Sequence, residues 1–409
     1  MHFSFFGKLL FWEPGFLLNL AALKPNAAMD IFPFRAVYPQ LDRILPDENF
    51  FESVKEDFNR YYGESLFQYV DQEALFVYQI DIQGVTHTGI VGGVPVTEYE
   101  QGRILRHEHT ISAKEDVQLK LTLERASVVK PVLLAYAGIP ALDHWLAAYA
   151  GGREPDWAVN FPREGQVHRF YAITAPEDIN CVQTEMAQAL DHAYIADGHH
   201  RFSSSARLYR QLEAEGRADA SVYRDLMCAF FPTPALDIHN FNRVVYQAFR
   251  DMGAGGFVAR LSAFAEVEPI PGPAMPAAAH DMTMLLEREW FRVSWRDITW
   301  FSRPDRSVCT DVDLFNDLIL HRILGIENAR NDNRVDYIEG PKGLEGLQKA
   351  VSKQPGSVGF CLHPLSWDSF LAIIDAGQVL PPKSTWFEPR MKNGLIVQRY
   401  LPQSVAAKE

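Results

Sequence analysis

The stretch Ala193-Tyr194-Ile195-Ala196-Asp197-Gly198-His199-His200-Arg201-Phe202 decides how this chain is read. Ala193 to Ala196 are apolar and predict a short buried strand. Polarity changes abruptly at Asp197, and Gly198 permits a tight turn or a close backbone approach. His199, His200 and Arg201 then crowd hydrogen-bonding and cationic groups onto one loop. Ser203, Ser204 and Ser205 are candidate helix caps, and Ala206, Tyr209 and Leu212 form a helix face that runs to Gly216. A strand, a polar glycine turn and a helix N-terminus together make an anion site, because free N–H groups and the helix dipole favour phosphate and arginine grips it bidentately. The same turn can also be a plain solvated connection, so by itself it leaves both readings open.

The whole chain narrows the classes. Its 409 residues suffice for two or three domains, and 47% hydrophobic with 22% charged residues fits a soluble globular protein. A net charge of -13 argues against a broad nucleic-acid surface but leaves room for a small basic pocket. Cys181, Cys228, Cys309 and Cys361 are far apart with no C-x-x-C pair, which predicts reduced thiols in a cytoplasmic protein without zinc. Residues 3–23 are apolar, but Lys8, Glu13, Pro14 and Gly15 interrupt them and no basic n-region precedes them. We read 1–28 as an N-terminal extension rather than a membrane span or export signal, with the first domain starting near Met29.

Other segments carry candidate chemistry. Residues 99–124 are densely charged and contain Gly102-Arg103-Ile104-Leu105-Arg106-His107-Glu108-His109-Thr110. A carboxylate between two histidines and near two arginines suits a general base or a metal ligand, and a charged helix surface reads equally well. His107 and His109 are two apart and would not share a helix face, which weakens a helical metal site. Arg243 lies in 237–246 as a strand-end charge or a second anion contact. Residues 268–279 hold four prolines and predict a linker. Leu314, Leu318 and Ile319 predict an amphipathic helix over 312–324. Near the C-terminus, Pro381-Pro382-Lys383-Ser384-Thr385-Trp386-Phe387-Glu388-Pro389 predicts a rigid loop with phosphate-contact residue types, though without the glycines of a Walker A loop.

These segments together resemble the domain-of-unknown-function 1015 family. The resemblance rests on the Asp197–Arg201 D-G-H-H-R turn, the G-x-I-x-x-H-E-x-T run at 102–110, Pro33-Phe34-Arg35, and the P-x-K-S-T-W-F-x-P tail, and it spans 31–401. Two departures stand out. Tyr38-Pro39-Gln40-Leu41-Asp42 passes quickly to the next helix where many members carry a longer A-P-P-Y-D type segment. Phe241-Asn242 replaces the usual threonine-histidine before Arg243.

The family resembles the ParB/sulfiredoxin-like superfamily, which includes kinases of free L-serine. The resemblance implies an α+β fold: a mixed, partly barrel-like sheet over 29–250, with a C-terminal α/β region over 251–409 that returns a loop to the site. It implies phosphoryl transfer from ATP, ADP or pyrophosphate, with Mg²⁺, to a hydroxyl metabolite such as L-serine. Glu108, Asp197 and His200 are then the catalytic candidates. Gly198, His199, Arg201, Arg243, Lys383 and Ser384 are the donor contacts, and Asp197 is the metal ligand. The alternatives are a nucleotide-binding regulatory protein and, against the acidic balance, a ParB-like nucleic-acid-processing protein.

Overall fold

A computed structural model describes residues 29–296 and 307–400, so the extension expected over 1–28 lies outside the described residues. The chain forms a mixed α+β structure with four sheets among those residues. The largest has eight strands, in the order Ile104–Leu105, Ala193–Asp197, Val132–Tyr136, Asp225–Pro232, Val85–Pro95, Leu75–Ile82, Gln166–Ile173 and Trp157–Phe161. Two of its pairings are parallel: Ala193–Asp197 with Ile104–Leu105, and Asp225–Pro232 with Val132–Tyr136. The sheet ends on open edge strands and does not close into a barrel. Its inner strands are near-continuous apolar runs because both faces are covered. All five residues of Val132–Tyr136 are buried, as are all but the first of Asp225–Pro232.

A second sheet has six antiparallel strands, in the order Ala265–Ile270, Glu289–Trp295, Asp281–Leu286, Val358–Leu362, Phe241–Val245 and Val335–Glu339. It has a core of its own around Phe257, Met282, Met284, Phe315 and Phe360. The linker expected at 268–279 begins as strand: Glu268, Pro269 and Ile270 pair with Arg292, Phe291 and Trp290. Pro269 is tolerated because its strand is at the sheet edge. Strand Phe241–Val245 already belongs to this sheet, ahead of the border expected near residue 250.

The helix expected over 312–324 starts as α-helix Asp311–Leu314, with Thr310 and Asp313 forming a capping box. It then widens into a π-helix over Phe315–Ile323, which buries Phe315, Leu318, Ile319, Leu320 and Ile323. The chain's end returns to the first core. Phe370 and Ile373 of helix Trp367–Asp375 pack there with Phe387, Leu395 and Ile396, and strand Val397–Arg399 pairs with both Ala36–Pro39 and Ser127–Val128. This return is more than a loop, since it supplies a strand and part of the hydrophobic core. No helix among the described residues is long and apolar enough to cross a membrane.

Candidate active site

Strand Ala193–Asp197 runs into the interior and shifts register between Ile195 and Asp197. Gly198 follows with φ of 106° in the left-handed region, and helix His199–Ala214 begins at once. Ser203, Ser204 and Ser205 therefore lie inside the helix rather than capping it, and no side chain caps its first turn. Those N–H groups and the positive end of the dipole are left without a side-chain cap. Arg201 also lies close over Gly198. A Cβ there would lie 2.7 Å from Nη2 of Arg201, because the guanidinium folds back over it. Arg201 Nη2 donates to Asp197 Oδ2 at 2.9 Å and to the carbonyl of Pro131 at 3.2 Å.

Asp197 is the hub of a cationic cluster. Lys130 Nζ is 3.4 Å from its Oδ2, and Arg390 Nη2 is 3.6 Å from its Oδ1. Three cations thus face one carboxylate. Burial would raise the Asp197 carboxyl, but the charges of Lys130, Arg201 and Arg390 outweigh it and hold it well below the usual carboxylate range. Lys130 and Arg390 escaped the sequence reading. Each sits beside a proline in the sequence, with no spacing that ties it to Asp197.

Glu108 sits in the loop between strand Ile104–Leu105 and helix Ser112–Arg125. The three central residues of His107-Glu108-His109 diverge: His107 is buried, Glu108 is half-buried and His109 is exposed. Burial raises the Glu108 carboxyl above its usual value, against the opposing charges of Lys383, Arg330 and Lys114, and with Asp197 adding to the rise. Those interactions put Glu108 within electrostatic reach of Asp197 and Lys383. Arg103 is not part of this group, since its Nη2 donates to Glu98 Oε1 at 2.7 Å.

The two turn histidines differ from expectation. The backbone N–H of His107 donates to His199 Nε2 at 3.3 Å, and that of Ile111 donates to His200 Nε2 at 3.1 Å. Both rings accept, so both are neutral and carry their proton on Nδ1. Burial, with neighbouring positive charge, pushes both below the usual histidine value, His199 strongly. The pair straddles Glu108 and pins its loop at either side. His199 is buried beneath that loop, and its Nε2 is unavailable to a phosphate.

The tail loop is fixed from the same side. The carbonyl of His107 accepts from the backbone N–H of Leu380 at 2.9 Å, and His107 Nε2 lies 3.2 Å from Thr385 Oγ1. Lys383 is exposed with φ of 59°, and its Nζ lies 4.6 Å from the Phe241 ring centroid. Ser384 is buried and its Oγ donates to Pro381 O at 2.6 Å, so it shapes the loop instead of facing the cleft. Arg243 is buried too, 1% exposed, and donates to the carbonyls of Phe241 and Lys383. It is neither a surface charge nor a cleft contact: it holds the backbone of Lys383.

Asp197, the expected metal ligand, lies among cations rather than in a cluster of acids. Among the described residues no three acidic, histidine or cysteine side chains gather to bind a metal, and the Asp197 carboxylate is already engaged by three cations.

A model of the family described as "Protein of unknown function (DUF1015)" matches residues 37–315. The chain belongs to the DUF1015 family. No curated protein matches the sequence. Solved structures similar to this family member include a mutant free serine kinase in complex with ADP, at 12% identity and TM-score 0.35, covering 75% of this chain and 92% of that one. SbnI with a C-terminal truncation, from Staphylococcus aureus, matches at 12% identity and TM-score 0.39, covering 75% and 87%. A conserved hypothetical protein from Pyrococcus furiosus matches at 12% identity and TM-score 0.33, covering 75% and 95%.

Proposed function

We propose that this DUF1015 protein transfers a phosphoryl group from a nucleotide or pyrophosphate to the hydroxyl of a small metabolite, with free L-serine the first acceptor to test. What supports the reading is a pair of carboxylates of opposite character on two segments that His199 and His200 tie together. Asp197 is locked ionised among Lys130, Arg201 and Arg390, and Glu108 is held with raised proton affinity. Pairs of acids pushed apart in this way mark divided roles. The motif resemblance to the ParB/sulfiredoxin-like serine kinases supports the same reading, and we include that relationship in the proposal.

The residues divide as follows. The donor phosphate lies against the uncapped first turn of helix His199–Ala214, with Arg201, Lys130 and Arg390 compensating its charge. Asp197 keeps Arg201 and Lys130 in place. Glu108 takes the acceptor hydroxyl proton as the oxygen attacks phosphorus. Lys383 lies close enough to Glu108 to add positive charge beside the transferring group. His199 and His200 position Glu108 by accepting from its loop's backbone. A cleft of about 630 Å³, lined by His109, Arg330, Tyr337 and Pro382 among others, opens beside this loop and has room for the acceptor.

The test is direct. Purified protein is incubated with ATP, ADP or pyrophosphate and a panel of hydroxyl metabolites including L-serine, with Mg²⁺ present and absent. Phosphorylated product should form with at least one pair. Arg201→Ala should weaken donor binding in a protein that still folds. Unchanged donor affinity in that variant removes the turn from the site.

A further inference from the structure

The motif Pro33-Phe34-Arg35 plays no part in the site above, yet it borders a cleft of its own of about 540 Å³. Its geometry follows from two isolated bridges, Phe32 with Gly93 and Phe34 with Ala74. In extended chain successive side chains alternate, so Phe34 turns inward and packs edge-on to Phe76 at 5.5 Å while Arg35 turns outward. Arg35 Nε donates to Val70 O at 3.0 Å, and its guanidinium lies 4.7 Å from the Tyr69 ring centroid. Its two Nη groups have no acceptor among the described residues.

Two more arginines line the same cleft. Arg224 lies 5.3 Å from the Phe32 ring centroid and donates to both carboxylate oxygens of Asp225, at 2.9 and 2.7 Å. Arg399 lies 4.0 Å from the Tyr62 ring centroid, and its Nη1 donates to Tyr69 Oη at 3.2 Å. Three arginines, each with its guanidinium against an aromatic ring, therefore line one concavity. The lining acids are Asp225, already engaged by Arg224, and the exposed Glu73. Braced guanidiniums lose little freedom on binding, and their planar forks match a phosphoryl group. None of the lining residues is among those given a role around Asp197 and Glu108.

We propose that the Arg35 cleft is a second binding site, selective for a small phosphoryl-bearing anion. Arg35 supplies the unengaged fork, with Arg224 and Arg399 adding charge. The proposal is independent of the catalytic reading, since it uses no residue of that site.

Pyrophosphate is the probe, and its binding to the full chain is titrated calorimetrically. We expect two equivalents per chain. Arg35→Gln should remove one or weaken it by about tenfold or more, as losing a charge-assisted fork does. Arg35→Lys, which keeps the charge but loses the fork, should fall between. Arg201→Ala should leave this equivalent in place. Thermal melting of Arg35→Gln and Arg35→Lys guards against misfolding, because either folded variant suffices. An unchanged stoichiometry and affinity in a folded Arg35 variant overturns the proposal, as does loss of all binding in Arg201→Ala alone. A single equivalent that Arg35→Gln removes and Arg201→Ala spares supports this site and counts against the phosphate role of the Asp197 turn.

Discussion

Asp197 and Glu108 are electrostatic neighbours with the same side-chain chemistry, but the fold treats them oppositely. Asp197 ends a strand of the eight-stranded sheet, one place in from its edge, and meets three cations within 4 Å. Its charge is permanent, and its service is to arrange the cations. Glu108 sits on a six-residue connection tied down by side chains rather than by a ladder: His199 at one side and His200 at the other. Its burial outweighs the more distant charges of Lys383, Arg330 and Lys114, so its carboxyl rises. The lesson is that close ion pairs override burial while dispersed charges do not. An acid meant to hold charge and an acid meant to exchange a proton need those two different surroundings.

The sharpest way to break the comparison is Glu108→Gln. It keeps the shape and most hydrogen bonds but cannot accept a proton. Turnover should fall by roughly two to four orders of magnitude while donor affinity persists. Near-normal turnover in a stable variant would sink the base assignment.

Acid should separate the two regions next. His107, buried against Phe370 and Phe387, is pushed down to about 4 from 6.5 by burial, and His199 and His200 are lowered as well. A folded value below the unfolded one means a stability contribution fully present above about pH 6.5 and lost as the pH falls towards 4. For His107 the linkage is about 3 kcal/mol at most. Urea midpoints measured from pH 7.5 to 4.5 should fall, and amide exchange should quicken first at His107 and Ile111, whose N–H groups the rings hold. Asp197, ionised well below this range, keeps its cations throughout. A flat stability profile across that range refutes the neutral-histidine clamp.

Asp197→Asn tests the other half. It leaves Lys130, Arg201 and Arg390 facing one another without their counter-charge. Because Asp197 and its partners are partly exposed, we expect a loss of about 2 kcal/mol, below the cost of breaking a fully buried pair. Chemical denaturation with and without added phosphate measures it, and phosphate should recover part of the loss by replacing the missing charge. Equal stability in the two buffers would mean that the cations do not face an anion site.

The smallest effect concerns the tail loop. Lys383 holds a left-handed backbone that costs a side-chain-bearing residue about 1 kcal/mol relative to glycine. Lys383→Gly should therefore stabilise the protein by up to about 1 kcal/mol while weakening donor binding. A loss of stability would show that its ammonium on the Phe241 ring outweighs the backbone strain.

Local chemistry was legible in the sequence because it is short-ranged. The apolar run before Asp197, the glycine turn and the following helix are written in consecutive residues, and the structure forms strand, left-handed glycine and helix in that order. The family followed from four separate motifs read together, and the matching family model covers residues 37–315. The α+β class came with that resemblance, and the structure is a mixed α+β fold. Serine caps failed because the helix starts at least five residues early, with Gly198 rather than Ser203 at its N-cap: a left-handed glycine can begin a helix without a side-chain cap.

What the tertiary structure alone decided is which way each polar side chain faces. Arg243 and Ser384 have the composition of surface anion contacts, yet the fold buries both to shape the Lys383 loop. His199 and His200 have the composition of phosphate ligands, yet their rings receive backbone N–H groups from a loop about 90 residues earlier. Lys130 and Arg390 are unremarkable in sequence and stand beside Asp197 in space. Side-chain chemistry is set by residue type, but proton affinity and charge compensation depend on neighbours within a few ångströms. Those neighbours come from segments separated by tens to hundreds of residues, and only the packed chain brings them together.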